Sequence, residues 1–233
     1  MHIFYVPEIS GEILILNSPE SKHAIKVLRL KKGSAVKLID GKGGLYSAEI
    51  TDPDHKHCHL KIIKSEKEYG KRKFSLHIAI APTKSIDRFE WFIEKVTEIG
   101  IDKITPLLTG HSERKIINSE RLEKILISAI KQSVKAYIPK LNSLTKFDDF
   151  INNCNNKKRY IAHCLPESKP HLKDLLLPGA DSVIMIGPEG DFTPDEIKKA
   201  SAENFVGVSL GNSRLRTETA GVVACHIVNL INE

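Results

Sequence analysis

Apolar and polar positions change rhythm once along this chain. Up to about residue 69 the apolar runs are short and often alternate with polar residues. Examples are EILIL at 12–16, SAVKLID at 34–40, GLYSAEI at 44–50 and CHLKII at 58–63. Period-two alternation suits a strand with one buried and one wet face. The turn-forming stretches DGKGG (40–44) and TDPD (51–54) separate the runs, and a small β-barrel is expected. One short helix interrupts it, from Pro19 to about Leu30, with Ser18 as N-cap and Gly33 beyond its end. The polar, charged stretch KSEKEYGKRK (64–73) reads as a linker. Its charges are either solvated or brush phosphate. Two domains are therefore expected, 1–70 and 73–233.

Beyond the linker, apolar strands alternate with amphipathic helices. FSLHIAIAP (74–82), IDKITPLL (101–108), RYIAHCL (159–165), SVIMIG (182–187) and FVGVSLG (205–211) read as strands. Phe89, Phe92, Ile93 and Val96 fall at helical spacing within a predicted helix over about 87–99, with Asp87 and Glu90 as its capping box and Gly100 at its exit. Leu122, Ile125, Leu126, Ala129 and Ile130 define one face of a long helix capped by Ser119 and ended by Pro139. Such alternation implies an α/β domain with a mainly parallel sheet.

Composition adds solubility and charge. Hydrophobic residues make up 41% and charged residues 27%. No apolar run approaches the length of a membrane span, and the start lacks the layout of a signal peptide. The net charge of +6 draws the chain to polyanions, of which nucleic acid is the commonest. Cys58, Cys154, Cys164 and Cys225 lie far apart with no CxxC pair, which suits a reducing cytoplasm. His55, His57 and His59 would share a face if they lay in one strand. With no second ligand cluster, an exposed strand face is expected and no metal site.

Ligands of open α/β sheets collect beyond the carboxyl ends of the strands. Three such ends are unusual here. In GPEGDFTPDEI (187–197), Thr193, Pro194 and Glu196 form a full capping box after a Gly-bounded loop. The loop lacks the phosphate-binding glycine pattern and any lysine, so it is either a tight turn or the seat of a phosphate-free, cationic ligand. In LRTETA (215–220), Thr217 can cap a helix that is apolar nearly all round and hence buried. Arg214 and Arg216 beside that buried start should be ion-paired with Glu189 or Glu218, or should face an anionic group. The third end, AHCLPES (162–168), offers Cys164 with no base beside it, so a buried structural cysteine is expected.

MIGPEG followed by VSLGNSRLRTETA resembles the signature of the RsmE family, bacterial 16S ribosomal RNA uracil-N3 methyltransferases of the SPOUT class. The stretches 23–50, 84–109 and 131–139 resemble that family too, so the likeness spans nearly the whole chain. Two departures stand out. Gly190-Asp191 replaces the usual Gly-Gly, and Lys131-Gln132-Ser133-Val134-Lys135 replaces Glu-Gln-Ser-x-Arg.

The resemblance implies a PUA-like RNA-binding β-barrel joined to a SPOUT-type α/β domain with a C-terminal trefoil knot. It implies S-adenosylmethionine as cofactor, held by loops containing Cys164 and Leu165, then Gly187, Pro188, Glu189 and Gly190, then Leu210, Gly211, Leu215 and Thr217. It implies 16S rRNA or the small ribosomal subunit as partner, a homodimer with the pocket near the two-fold, and a cytoplasmic place of work without membrane or metal. Lys22, Lys26, Arg29, Lys31 and Lys32 are the expected RNA contacts on the barrel, with Arg114 and Arg214 on the second domain. Uracil N3 must lose a proton, which leaves negative charge on O2 and O4. A guanidinium there would stabilise it, and Arg216 is the expected catalytic residue. The proton acceptor is Glu189, Glu218 or water. The rival readings are another SPOUT methylation such as ribose 2′-O, and a non-catalytic RNA-binding module.

Overall fold

The computed structural model describes residues 2–233, which fall into two compact units. The first comprises residues up to Lys71 together with Ile127–Ile138, and the second comprises Arg72–Leu126 and Pro139–Glu233.

The first unit holds β1 (Ile3–Tyr5), β2 (Ile13–Ile15), α1 (Ser18–Lys22), β3 (Ala35–Ile39), β4 (Leu45–Asp52) and β5 (His59–Glu66). These strands form one five-stranded sheet in the order β1-β3-β4-β5-β2, parallel only between β1 and β3. Register shifts in the β4–β5 pair, after Ser47 and after Ile50, curl the sheet. Phe4, Leu14, Leu16, Val36, Leu38, Ile50 and Leu60 fill its concave side.

Several local details differ from the sequence expectations. Asn17, not Ser18, caps α1, because the Asn17 Oδ1 accepts from Glu20 N at 2.9 Å and Ser18 already lies in the first turn. The predicted helix to Leu30 changes into a single π-helical turn, His23–Val27, and stops where Arg29 turns left-handed at φ 56°. The first three residues of the predicted linker are strand, since β5 runs to Glu66. His55 and His57 sit in a bend beside β5, so the three histidines share no strand face. Asp54 organises that bend by accepting from Lys56 N and His57 N.

The second unit contains β6 (Leu76–Ile80), α2 (Ile86–Ile99), β7 (Lys103–Leu108), α3 (Ser119–Ser133), β8 (Lys140–Leu141), β9 (Thr145–Lys146), α4 (Phe147–Asn152), β10 (Lys158–Ala162), α5 (Leu172–Leu175), β11 (Ser182–Ile186), α6 (Pro194–Ala202), β12 (Val206–Val208) and α7 (Thr217–Ile231), with α3 continuing into the first unit. Its sheet runs β12-β10-β11-β6-β7-β8, every pairing parallel, with β9 beside β7. A sheet covered on both faces needs apolar residues throughout, and β6 and β11 are buried at every position. Val183 and Met185 of β11 pack toward Phe147, Phe150, Phe192 and Phe205. The opposite face carries α7, which packs on β6 and β11, and α2, which packs on α7. Gly221 of α7 permits this contact: a Cβ there would lie 2.5 Å from the Phe92 ring and 2.9 Å from Ile80.

Helix ends again differ. Asn118 caps α3 through its Oδ1 and Arg121 N at 3.1 Å, and the helix stops at Ser133, where Val134 is left-handed, well before Pro139. No capping box forms on α2, because Glu90 instead meets Arg121 at 2.6 Å. Within the first unit Lys131 has a defined role. Its ammonium lies 2.6 Å from Glu20 and 5.8 Å from the centre of the Phe4 ring, so it ties the end of α3 to α1.

Buried His77 predicts how stability depends on pH. It is 6% exposed, and its Nε2 lies 2.7 Å from Thr105 Oγ1. Burial, with a smaller contribution from the Lys103 charge, pushes its pKa down to about 3. In the unfolded chain the ring titrates near ~6.5. The unfolded state therefore binds the extra proton first, and stability is lost as pH falls from about 6.5 toward 3, by up to about 1.4 kcal/mol per pH unit. Urea midpoints across that range should fall, and His77→Asn should fall less steeply.

Candidate functional site

The carboxyl ends of β10, β11 and β12 open into one cavity of about 1150 Å³. Three loops wall it. The first leaves β10 through His163 and Cys164, the second leaves β11 through Gly187–Asp191, and the third leaves β12 through Ser209 and runs to Thr217. After β12, on the sheet edge, this third segment must return toward β6, where α7 packs. It is held on the way by Leu172 N donating to Ser209 O and Ser209 N donating to Pro170 O, both at 2.9 Å.

The loop after β11 is fixed from several sides. Thr217 Oγ1 donates to Gly187 O at 3.1 Å. Lys84 N donates to Glu189 Oε1 at 3.0 Å, and His111 Nδ1 lies 2.9 Å from Gly190 O. Asp191 holds a left-handed φ of 62°, a conformation that Asp tolerates better than most residues. Its Oδ2 accepts from Cys164 N at 2.7 Å, which joins the first two loops. The capping box of α6 is complete, and Glu196 Oε1 also accepts from Gly110 N at 2.8 Å.

Of the residues expected to hold a cofactor, Cys164, Gly187, Pro188, Glu189, Gly190, Leu210, Gly211, Leu215 and Thr217 line the cavity, and Cys164 is exposed there, not the buried structural cysteine expected from its strand. Leu165 does not; its carbonyl accepts from Lys169 Nζ instead. Gly187 and Gly190 have a packing reason within the protein. A Cβ would lie 3.1 Å from Phe192 at the first and 3.2 Å from His111 at the second. Thr217 is the first residue of α7 and not its cap, a position held by Arg216 without a side-chain hydrogen bond. The Thr217 hydroxyl is drawn inward to Gly187 instead. Thr217→Val keeps the shape but leaves that buried carbonyl without its donor, so stability should fall by about 1–3 kcal/mol in urea unfolding.

Arg214 and Arg216 line the cavity and are exposed. Among the described residues neither guanidinium has an ion pair or hydrogen bond. The expected acidic partners are occupied elsewhere: Glu189 accepts from Lys84 N, and Glu218, 6% exposed, faces Arg88 at 4.0 Å. Arg114 lies outside the cavity lining and donates to Thr83 O and Lys84 O at 3.1 and 2.6 Å. Lys22, Lys26, Arg29, Lys31 and Lys32 are all exposed on the helix-and-turn segment of the first unit.

The sequence reading missed Arg88, His163 and Asp191, which also line the cavity. His163 is 7% exposed, and its Nε2 lies 3.2 Å from Glu167. Burial, then the Lys169 charge, lowers its pKa, and its buried Nδ1 has no partner among the described residues. Only its place at the end of a strand could have pointed to it. Among the described residues no group of three His, Cys, Asp or Glu is placed to hold a metal ion. No described helix is long and apolar enough to cross a membrane.

Comparison with known proteins gives this geometry its family. Residues 70–229 match the RNA methyltransferase domain family, and residues 16–63 match the RNA methyltransferase PUA domain family. Ribosomal RNA small subunit methyltransferase E of Rickettsia conorii is 33% identical, over 93% of this chain and 89% of that protein. A probable rRNA-methyltransferase of Porphyromonas gingivalis superposes with a TM-score of 0.93 at 39% identity, covering 100% of this chain and 98% of that one. A methyltransferase of Legionella pneumophila, solved with the cofactor SAM bound, superposes with a TM-score of 0.89 at 28% identity over 99% of this chain and 97% of that one. A curled N-terminal sheet, a parallel sheet with a cavity beyond its strand ends, and these matches across nearly the full length lead to one conclusion: the chain belongs to the RsmE family of ribosomal RNA small subunit methyltransferases.

Proposed function

We propose that this protein methylates N3 of a uridine in 16S rRNA of the small ribosomal subunit, using S-adenosylmethionine. The observation that carries the reading is the cavity: three strand-end loops wall it, and two exposed arginines line it that have no acidic partner among the described residues. Its residues fit the cofactor. About 1150 Å³ exceeds the ~300–1,000 Å³ of ordinary small-molecule sites, which leaves room for a donor and a base together. The carboxylates of Glu189 and Asp191 line it, as suits a cationic sulfonium, and Cys164, Gly187–Gly190 and Leu210–Thr217 would hold the donor.

S-adenosylmethionine supplies an electrophilic methyl group when bound. The chain supplies position and charge. Arg216 stabilises the negative charge that appears on O2 and O4 as the proton leaves N3. Arg214 contacts phosphate. The Thr217 and Asp191 bonds hold the loops in register, which fixes the approach of N3 to the methyl carbon. The proton goes to Glu189, which keeps one oxygen outside its bond to Lys84 N, to Glu218, or to water.

The wider organisation follows the same reading. Residues 1–70 act as the PUA-like RNA-binding domain and 73–233 as the SPOUT domain. The return of the chain from the edge strand β12 to α7 on β6 supports a trefoil knot in the C-terminal part. Leu230, 55% exposed on α7, supports a homodimer through that helix. Four cysteines without a disulfide among the described residues suit a cytoplasmic protein.

Tritiated S-adenosylmethionine, unmethylated small subunits and nucleoside analysis test the reaction. Label in N3-methyluridine is expected. Label in a 2′-O-methyl nucleoside would move the enzyme to another SPOUT reaction, and RNA binding without transfer would make it a binding module.

A further inference from the structure

Of the carboxylates that line the cavity, one has no part in the mechanism above. Asp191 has both oxygens engaged, Oδ2 by Cys164 N at 2.7 Å and Oδ1 by Phe192 N at 2.8 Å. Glu218 faces Arg88, and Glu189 accepts from Lys84 N. Glu167, on the loop that leaves β10, is different. Its Oε1 lies 3.2 Å from His163 Nε2, and its Oε2 has no hydrogen-bond or ion-pair partner among the described residues. The backbone beneath it is pinned, because Glu167 N donates to Leu165 O at 2.8 Å. Lys169 Nζ donates to the same carbonyl, so this loop's own lysine is engaged there and not by the carboxylate.

His163 gives the carboxylate its direction. Its side chain is 1% exposed, and Gly207 of β12 makes room for the ring, since a Cβ there would lie 2.8 Å from Nε2. Burial, then the Lys169 charge, outweighs the opposite pull of Glu167 and Asp191, and the ring is neutral at pH 7. A neutral imidazole beside a carboxylate presents its N–H to it, so Nε2 carries the proton. A carboxylate gripped at one oxygen by a buried ring is orientated in advance, and its second oxygen is left for a donor. We propose that Glu167 accepts a hydrogen bond from an N–H or O–H of the cofactor, at its amino-acid end or its nucleoside end, with His163 as the positioning residue. The proposal rests on S-adenosylmethionine as the cofactor and not on which RNA atom receives the methyl group. The contact forms within the cavity wall of one chain and needs no open face.

Calorimetry with two probes tests it. S-adenosylhomocysteine carries both ends of the cofactor without the sulfonium, and 5′-methylthioadenosine carries the nucleoside end alone. Glu167→Ala should raise Kd for S-adenosylhomocysteine roughly tenfold to a hundredfold, the usual worth of a hydrogen bond to a charged group. The melting temperature of the unliganded protein should hardly move. An equal loss with 5′-methylthioadenosine puts the contact at the nucleoside end, and an unchanged Kd for it puts the contact at the ammonium. His163→Asn should weaken binding too, and that loss should vanish where Glu167 is already alanine, because His163 acts through it. Equal losses in both backgrounds would reduce His163 to a packing residue and overturn its part. Unchanged affinity for both probes in Glu167→Ala overturns the proposal and leaves the cofactor standing. Wild-type protein that binds neither probe overturns both.

Discussion

Arg216→Ala is expected to cut the single-turnover rate about a hundredfold to a thousandfold, the usual loss for one electrostatic donor aimed at developing charge. Melting temperature and donor affinity should hardly change. The side chain is exposed, makes no capping bond to α7, and has no acidic partner among the described residues. The inward anchor of that helix start is the neighbouring Thr217 hydroxyl on Gly187 O. Arg216→Lys should recover only part of the rate, because a point charge cannot reproduce a planar fork. Rate, melting temperature and calorimetric donor affinity on one preparation decide the matter. A normal rate in Arg216→Ala would remove the arginine from the chemistry.

Affinity for rRNA should be the next most sensitive property. Lys22, Lys26, Arg29, Lys31 and Lys32 are exposed on the segment from the end of α1 to the start of β3. Each phosphate contact releases counterions and contributes about 0.7–0.9 to the slope of log affinity against log salt. Replacing all five with glutamine should lower that slope by roughly four and weaken binding by several orders of magnitude at low salt. Donor affinity should stay put, because these side chains are absent from the cavity lining. Substitution is cleaner than removing residues 1–70, which would strip the cover from 127–138, including the Lys131–Glu20 pair. An unchanged salt slope would show that RNA binds elsewhere.

Local patterns explain why much of this protein was legible in its sequence. Period-two alternation in 34–40 and 44–50 became β3 and β4, and the uninterrupted apolar run of β11 became a strand buried on both faces. The Thr193–Glu196 box formed as read, because both of its bonds lie within four residues. GPEG and LRTETA could be singled out because each breaks the pattern of its neighbours.

Choices between near-equal local options were harder. Asn17 and Asn118 displaced the serines beside them as caps, and Glu90 left its helix start for Arg121. The difference between such options is a fraction of what a tertiary contact contributes, so the surroundings choose. Likewise the end of α3 came at Val134, where only the left-handed turn marks it.

The sequence by itself determined most of the strands and helices, and marked the loops that break the pattern of their neighbours. These rest on periodicity and turn residues, which act over a few positions. Tertiary structure alone decided that β11 lies between β10 and β6, and that Asp191 bridges to Cys164 across 27 residues. It alone turned Thr217 from a cap into a tie on Gly187 and left Arg214 and Arg216, on the cavity wall, without acidic partners among the described residues. Those outcomes depend on which side chains meet across distant segments, and no local pattern encodes such a meeting.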